Sequence, residues 1–218
     1  MRRLMAVVAV LLGCVLGVPG AAQAAPLPLG SGAVLFDPLG GTSQQCTAAF
    51  AATNGVDDYL IAGPTCTGGD MHTEVNGDWP YVGPVVAVPF PYNGYVIVQV
   101  TRSWELVPWV PAGNSKIVLK GWKETPVGGP VCHADPRVGL TCGTVTAVGQ
   151  TYAFPWGPAT NLTENDICIG TNLGAAFITG DQAQGVPLGG GNICTFGSSY
   201  YLPITPILNR YGLKLIVA

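Results

Sequence analysis

Residues 168–196 read CIGTNLGAAFITGDQAQGVPLGGGNICTF. Cysteines stand near both ends, Cys168 and Cys194, placed so that they could staple one loop. Between them a small-residue turn, GTNLGAA, feeds an apolar run, FITG. A second Gly-rich segment, GVPLGGGN, follows it. The order is loop, strand, tight turn, strand.

Working outward, the rest of the chain repeats that rhythm. Strands are predicted over Val34–Phe36, Ala48–Ala52, Tyr59–Ile61, Val82–Val88, Tyr95–Val100, Lys116–Leu119, Gly143–Val148, Ala175–Ile178 and Gln184–Val186. Short strands at this spacing, with Gly, Asn and Asp between them, argue for an all-β barrel or sandwich. One helix is predicted, Thr205–Tyr211, closed by Gly212 as its C-terminal cap. No repeat and no linker-like change of composition divides the chain.

Composition narrows the function classes. The 218 residues are ample for a sizeable core. Charged residues make up 10% of the chain, well under the usual share of about a quarter. The formal charge of −3 gives no basic footprint for nucleic acid. Apolar residues at 48% with 31 glycines and 19 prolines indicate strands and turns, not disorder.

Residues 1–24 have the form of an export signal. Arg2 and Arg3 are the basic start, Leu4 to Val18 is apolar, and Ala22-Gln23-Ala24 is a small-x-small cleavage site. The apolar run is short for a membrane span, and no other stretch qualifies. Leu11-Leu12-Gly13-Cys14 is a competing lipoprotein-like box, which would put a lipid on Cys14. Residues 25–32 are expected to be an extended lead-in with no room for a folded pro-region, and 25–218 to be one domain. Six cysteines remain after the signal: Cys46, Cys66, Cys132, Cys142, Cys168 and Cys194. An even number in an oxidising compartment implies disulfides, but order along the chain leaves 15 pairings open. No C-x-x-C pair occurs and neither histidine, His72 or His133, stands at ligand spacing, so no metal or other cofactor is expected.

Residues 168–196 resemble the nucleophile segment of secreted bacterial chymotrypsin-like serine proteases, the streptogrisin and α-lytic protease group. Gln182-Ala183-Gln184-Gly185-Val186, Gly189-Gly190-Gly191-Asn192 and Cys194 fit that frame. Four more segments are similar to the same family. They are Cys46–Phe50 with Tyr59–Cys66, Phe90–Val98, Val131–His133 with Thr141–Val145, and Tyr200–Thr205 with Leu208 and Tyr211-Gly212. The resemblance implies two six-stranded antiparallel barrels with a C-terminal helix. It also implies the pairings Cys46–Cys66, Cys132–Cys142 and Cys168–Cys194, and a pocket wall at Gly189, Gly190 and Gly191.

The catalytic positions depart from the family. The serine slot holds Leu173, or Gly174 when counted forward from Cys168. The histidine slot holds Pro64 or Thr65, and the aspartate slot Gly94. Thr171 stands at the oxyanion-hole glycine and Asn172 beside the serine slot. A hydroxyl, an imidazole and a carboxylate are all required by this chemistry, and each is replaced. The expectation is an exported, catalytically inactive homologue whose inter-barrel cleft holds a peptide or protein partner. The alternative is a hydrolase with a relocated nucleophile such as Thr65 or Thr171, which would need a base close by. His72 and His133 are expected to be solvated loop residues, and Asp57, Asp58 and Asp70 turn residues. Trp104, Trp109 and Trp122 are expected to pack between the barrels. Asn161-Leu162-Thr163 matches a glycosylation sequon.

Overall fold

The computed structural model describes residues 25–39, 45–66, 68–89, 94–154, 157–169, 175–188 and 197–218. In chain order the strands are β1 (Leu27–Leu29), β2 (Val34–Phe36), β3 (Gln45–Thr53), β4 (Asp58–Ala62), β5 (Asp70–His72), β6 (Tyr81–Ala87), β7 (Val96–Val100) and β8 (Trp104–Leu106). Then come β9 (Trp109–Ala112), β10 (Ser115–Val118), β11 (Pro130–Asp135), β12 (Gly139–Phe154), β13 (Gly157–Asn165), β14 (Ala176–Thr179), β15 (Gln182–Leu188) and β16 (Ser199–Pro203). Helix α1 (Ile204–Tyr211) and β17 (Lys214–Leu215) complete the series.

Two antiparallel rings result. In the first, β3, β2, β5, β6, β7 and β4 follow one another, and β4 returns to β3. The second is a closed barrel in the order β11, β12, β13, β16, β15, β14. The all-β, double-barrel expectation therefore holds, with the short C-terminal helix in its expected place. Gly212 caps that helix at φ 62°, a left-handed conformation that glycine adopts without a Cβ penalty.

The apolar alternation explains how the rings meet. On β4 and β7, Leu60, Ala62, Val96, Val98 and Val100 join the first ring's own core. Ile61 and Ile97, one step out of phase, join a cluster shared with the second barrel. Strand β3 is buried on both sides: Ala48 and Ala51 turn to the first core, Phe50 and Ala52 to the shared one. Alanine is a weak strand former. Here its small side chain lets β3 approach β14 and β15 closely. Beyond the helix, β17 crosses to the first ring, where Lys214 pairs with Thr53 and Leu215 with Ala52.

Two disulfides link described cysteines. Cys46–Cys66 joins the start of β3 to the loop after β4. Cys132 and Cys142 face each other across the β11–β12 hairpin, with Cα atoms 4.0 Å apart. Cys168 is also disulfide-bonded; the expected partner, Cys194, lies outside the described residues. Among the described residues no helix is long and apolar enough to cross a membrane.

Candidate functional site

The two barrels are joined at an apolar seam. Gly94 sits just before β7 and is buried, with φ at +80°. A Cβ added there would lie 2.3 Å from Leu188 Cδ2. Leu188 ends β15 in the second barrel and has no exposed surface. An aliphatic side chain from one barrel thus fills the space into which a side chain at 94 would grow. No motif pointed to Leu188, because its neighbour across the seam is fixed by barrel packing and not by local pattern.

Thr65 is exposed beside Cys66, and its hydroxyl donates to the carbonyl of Gln45. Pro64 is half-buried. The Cys46–Cys66 bridge holds this turn to the first residues of β3. Leu173, Gly174, Thr171, Asn172 and the wall residues Gly189, Gly190 and Gly191 lie outside the described residues.

Both histidines are built into strands, which corrects the expectation that they are solvated loop residues. His72 ends β5. Its Nδ1 is 2.9 Å from the Trp79 carbonyl, and its ring is 5.4 Å from Tyr81 and 6.2 Å from Phe36. His133 lies inside β11 at 4% exposure, its ring 5.1 Å from Phe177. The short Cys132–Cys142 separation forms a hairpin and not a loop, so the register takes His133 indoors opposite Thr141 and Phe177.

Two residues along β11, Asp135 is buried as well. Burial works to raise its pKa. Backbone N–H groups of Arg137 and Val138, then the charges of Arg137 and His133, outweigh that and hold the carboxyl below its ordinary range. Among the other acids, Asp70 lies in β5 and accepts the Tyr81 hydroxyl at 3.1 Å. Asp58 opens β4, and Asp57 lies in the preceding turn, where its N–H donates to Asn54 Oδ1.

The Gln-Ala-Gln segment that the sequence marked has a structural task. Gln184 is 2% exposed. Its Oε1 accepts the Thr125 N–H at 2.8 Å and its Nε2 donates to the Lys123 carbonyl at 2.8 Å. Gln182 Oε1 accepts the Lys123 N–H at 3.1 Å. Backbone bonds from Lys120 to Asp181 and from Ala183 to Gly121 continue the line. These groups fasten the segment joining the two barrels along β15. Gly185 follows because a Cβ there would lie 2.3 Å from the Leu202 carbonyl.

The tryptophans divide differently from the expectation. Trp104 belongs to the first ring's own core and donates from Nε1 to the Tyr81 carbonyl at 2.9 Å. Trp122 packs against the shared cluster, as expected. Trp109 is half-buried under the ammonium of Lys116, 3.9 Å from the ring centroid.

A double barrel closed by a C-terminal helix is the architecture of chymotrypsin-like proteases. Streptogrisin-C of Streptomyces griseus is 29% identical over 180 residues, 81% of this chain and 39% of that protein. Glutamyl endopeptidase 2 of the same organism is 29% identical over 190 residues, 86% of this chain and 98% of that one. The crystal structure of Thermobifida fusca protease A superposes with a TM-score of 0.73 at 26% identity, covering 88% of this chain and all of the other. The chain is therefore a homologue of the bacterial chymotrypsin-like serine proteases of the streptogrisin and glutamyl endopeptidase group. It spans about two fifths of the length of streptogrisin-C. No protein-family model matches it.

Proposed function

We propose that this protein is an exported, non-catalytic member of that protease group, and that its inter-barrel cleft holds a peptide or protein segment without cutting it. One observation carries the reading. The chain has two histidines, and both imidazoles are committed to strand positions: His72 against Trp79, Phe36 and Tyr81, His133 against Phe177. Acyl transfer in this class needs an imidazole to take the proton of a hydroxyl, and a carboxylate to orient that imidazole. At the aspartate position, Gly94 offers no side chain and Leu188 fills the space. Thr65, the hydroxyl of the histidine turn, is engaged by a backbone carbonyl. A cleft without acid–base groups can still bind, because barrel folds carry their binding surface independently of their chemistry.

Export belongs to the same reading. Residues 1–24 act as the signal and 25–218 form the exported domain. The bonded cysteine pairs 46–66 and 132–142 fit an oxidising compartment. N-terminal sequencing of protein recovered from the medium should begin at Ala25. A lipid-bearing Cys14 would replace release by anchoring.

The decisive experiment assays casein and peptide-nitroanilide turnover, with fluorophosphonate labelling, on wild type and on Leu173→Ser. Neither form should turn over substrate or take up label. A serine hydroxyl restored without a base is a weak nucleophile, and members of a catalytic unit restored singly return almost nothing. Stoichiometric labelling of the wild type at Thr65 or Thr171 would replace this reading with a relocated nucleophile.

A further inference from the structure

A recess of about 210 Å³ opens where both barrels meet the helix. Tyr95 contributes from the first ring, Thr160 and Asn161 from β13, Leu202 from β16, and Pro206 and Arg210 from α1. Neither Thr65 nor Gly94 lines it.

Its polar groups are all donors or able to donate. Arg210 stands in the last turn of α1, exposed, with its guanidinium carbon 5.7 Å from the Tyr211 ring centroid. Among the described residues the ion pairs are Lys120–Asp181 and Arg137–Asp135, so no carboxylate neutralises Arg210. The Tyr95 hydroxyl is 3.4 Å from that of Tyr211. Tyr95 donates in that bond, so the proton left for a third acceptor is that of Tyr211. Burial above all, and then the Tyr211 hydroxyl, raise the Tyr95 pKa above its ordinary value, against the charge and hydrogen bond of Arg210, whose guanidinium lies beside the Tyr95 oxygen. Asn161 brings an amide to the rim from a left-handed backbone, φ +59°, where the β12–β13 register slips. Leu202 and Pro206 add apolar surface.

We propose that this recess is a carboxylate-binding site, taking either an acidic side chain or the free C-terminal carboxylate of a peptide. A planar guanidinium matches two carboxylate oxygens at once, and the phenolic and amide donors add to it. The apolar surface suits the short aliphatic stem behind such a group. The proposal stands apart from the catalytic reading, since an active protease could carry the same recess.

The test is an NMR titration of the purified protein with three probes, followed at the Arg210 Nε–H and the Asn161 amide. N-acetyl-glutamate α-amide presents a side-chain carboxylate, N-acetyl-alanine a terminal one, and N-acetyl-glutamine amide a neutral isostere. At least one acid should give a saturable shift in the millimolar range, and the glutamine probe none. Which acid saturates identifies the source. Arg210→Ala, at an exposed position that should not disturb folding, should weaken binding at least tenfold. Tyr95→Phe, which keeps the ring, should weaken it several-fold. Equal shifts with the glutamine probe, no saturation with either acid, or unchanged affinity in Arg210→Ala would overturn the proposal.

Discussion

Two places where the second barrel meets the rest of this molecule are built from opposite chemistry. Around Gln182 and Gln184 the contact is polar, and the amides meet backbone groups of residues 123 and 125. Around Gly94 it is apolar, and Leu188 fills the space. The difference follows from what each partner is. Backbone N–H and C=O groups are present whatever the side chains become, so glutamines that serve them keep their purpose. A buried carboxylate at 94 would need an imidazole to face. On the reading proposed above there is none, and an unpaired buried charge is far costlier than a leucine.

The sharpest way to break this comparison is to place a carboxylate at 94. Gly94→Asp must fit a side chain at φ +80° against Leu188. It should lose about 4 kcal/mol of stability, from strain and overpacking together. Urea unfolding measures it, and a loss below about 1 kcal/mol would mean that the seam gives way easily. Removing the obstacle sharpens the point. Gly94→Asp with Leu188→Ala should be less destabilised than the sum of the two single changes, by about 1–2 kcal/mol, because the two positions share one space. Strict additivity would show that Leu188 is not what excludes a side chain at 94.

The polar seam has a smaller expected effect. Gln184→Leu keeps the bulk and strips the bonds to Thr125 and Lys123. It should cost about 2 kcal/mol. Amide hydrogen exchange should quicken at Thr125, while the strands of the first ring keep their protection. Uniform acceleration throughout would show that the segment between the barrels is not a separate opening unit.

The mildest test concerns pH. Asp135 is held below its ordinary pKa in the folded protein, by the bonds and charges that outweigh its burial. Its contribution is therefore present above the unfolded carboxyl pKa, about 4, and is lost as pH falls through the lower folded value. Asp135→Asn should melt lower than wild type at pH 6, and the gap should narrow toward pH 3. A gap that stays constant would mean the charge of Asp135 contributes nothing.

Strands that the sequence announced are those whose side chains face two apolar surfaces. Tyr95–Val100 and Ala48–Ala52 carry their burial in their composition, and β7 and β3 form there. Strand β13, Gly157–Asn165, shows no such pattern, because the ladder to β12 and β16 sets it and its buried and exposed residues do not alternate. β5 and β8, of three residues each, are too short to display a period. At the site, Gly94 could be located from the Phe-Pro-Tyr-Asn-Gly-Tyr frame alone. The part of Leu188 could not, since it depends on two barrels approaching across the seam. The setting of His133 is not legible in the sequence, because a sequence separation of 10 between cysteines suits a loop as well as a hairpin, and only register tells them apart. Arg210 and Tyr211 gave a faint signal, a cation beside a phenol at a helix end, that Tyr95 makes meaningful only in space.

The crossing of β17 to β3 sets an order on the making of this protein. Strand β2 covers β3 at residues 45–47; at 52–53 its place is taken by residues 214–215, and the Ile216 N–H then donates to the Ala51 carbonyl. As the chain is made from its N-terminus, the first barrel must wait with part of one strand uncovered until the second barrel and the helix exist. The covering of that edge is a late event, delayed by the distance along the chain between the two strands. A chain cut short anywhere before residue 214 would leave the first ring closed by β4 on β3 but bare along that edge.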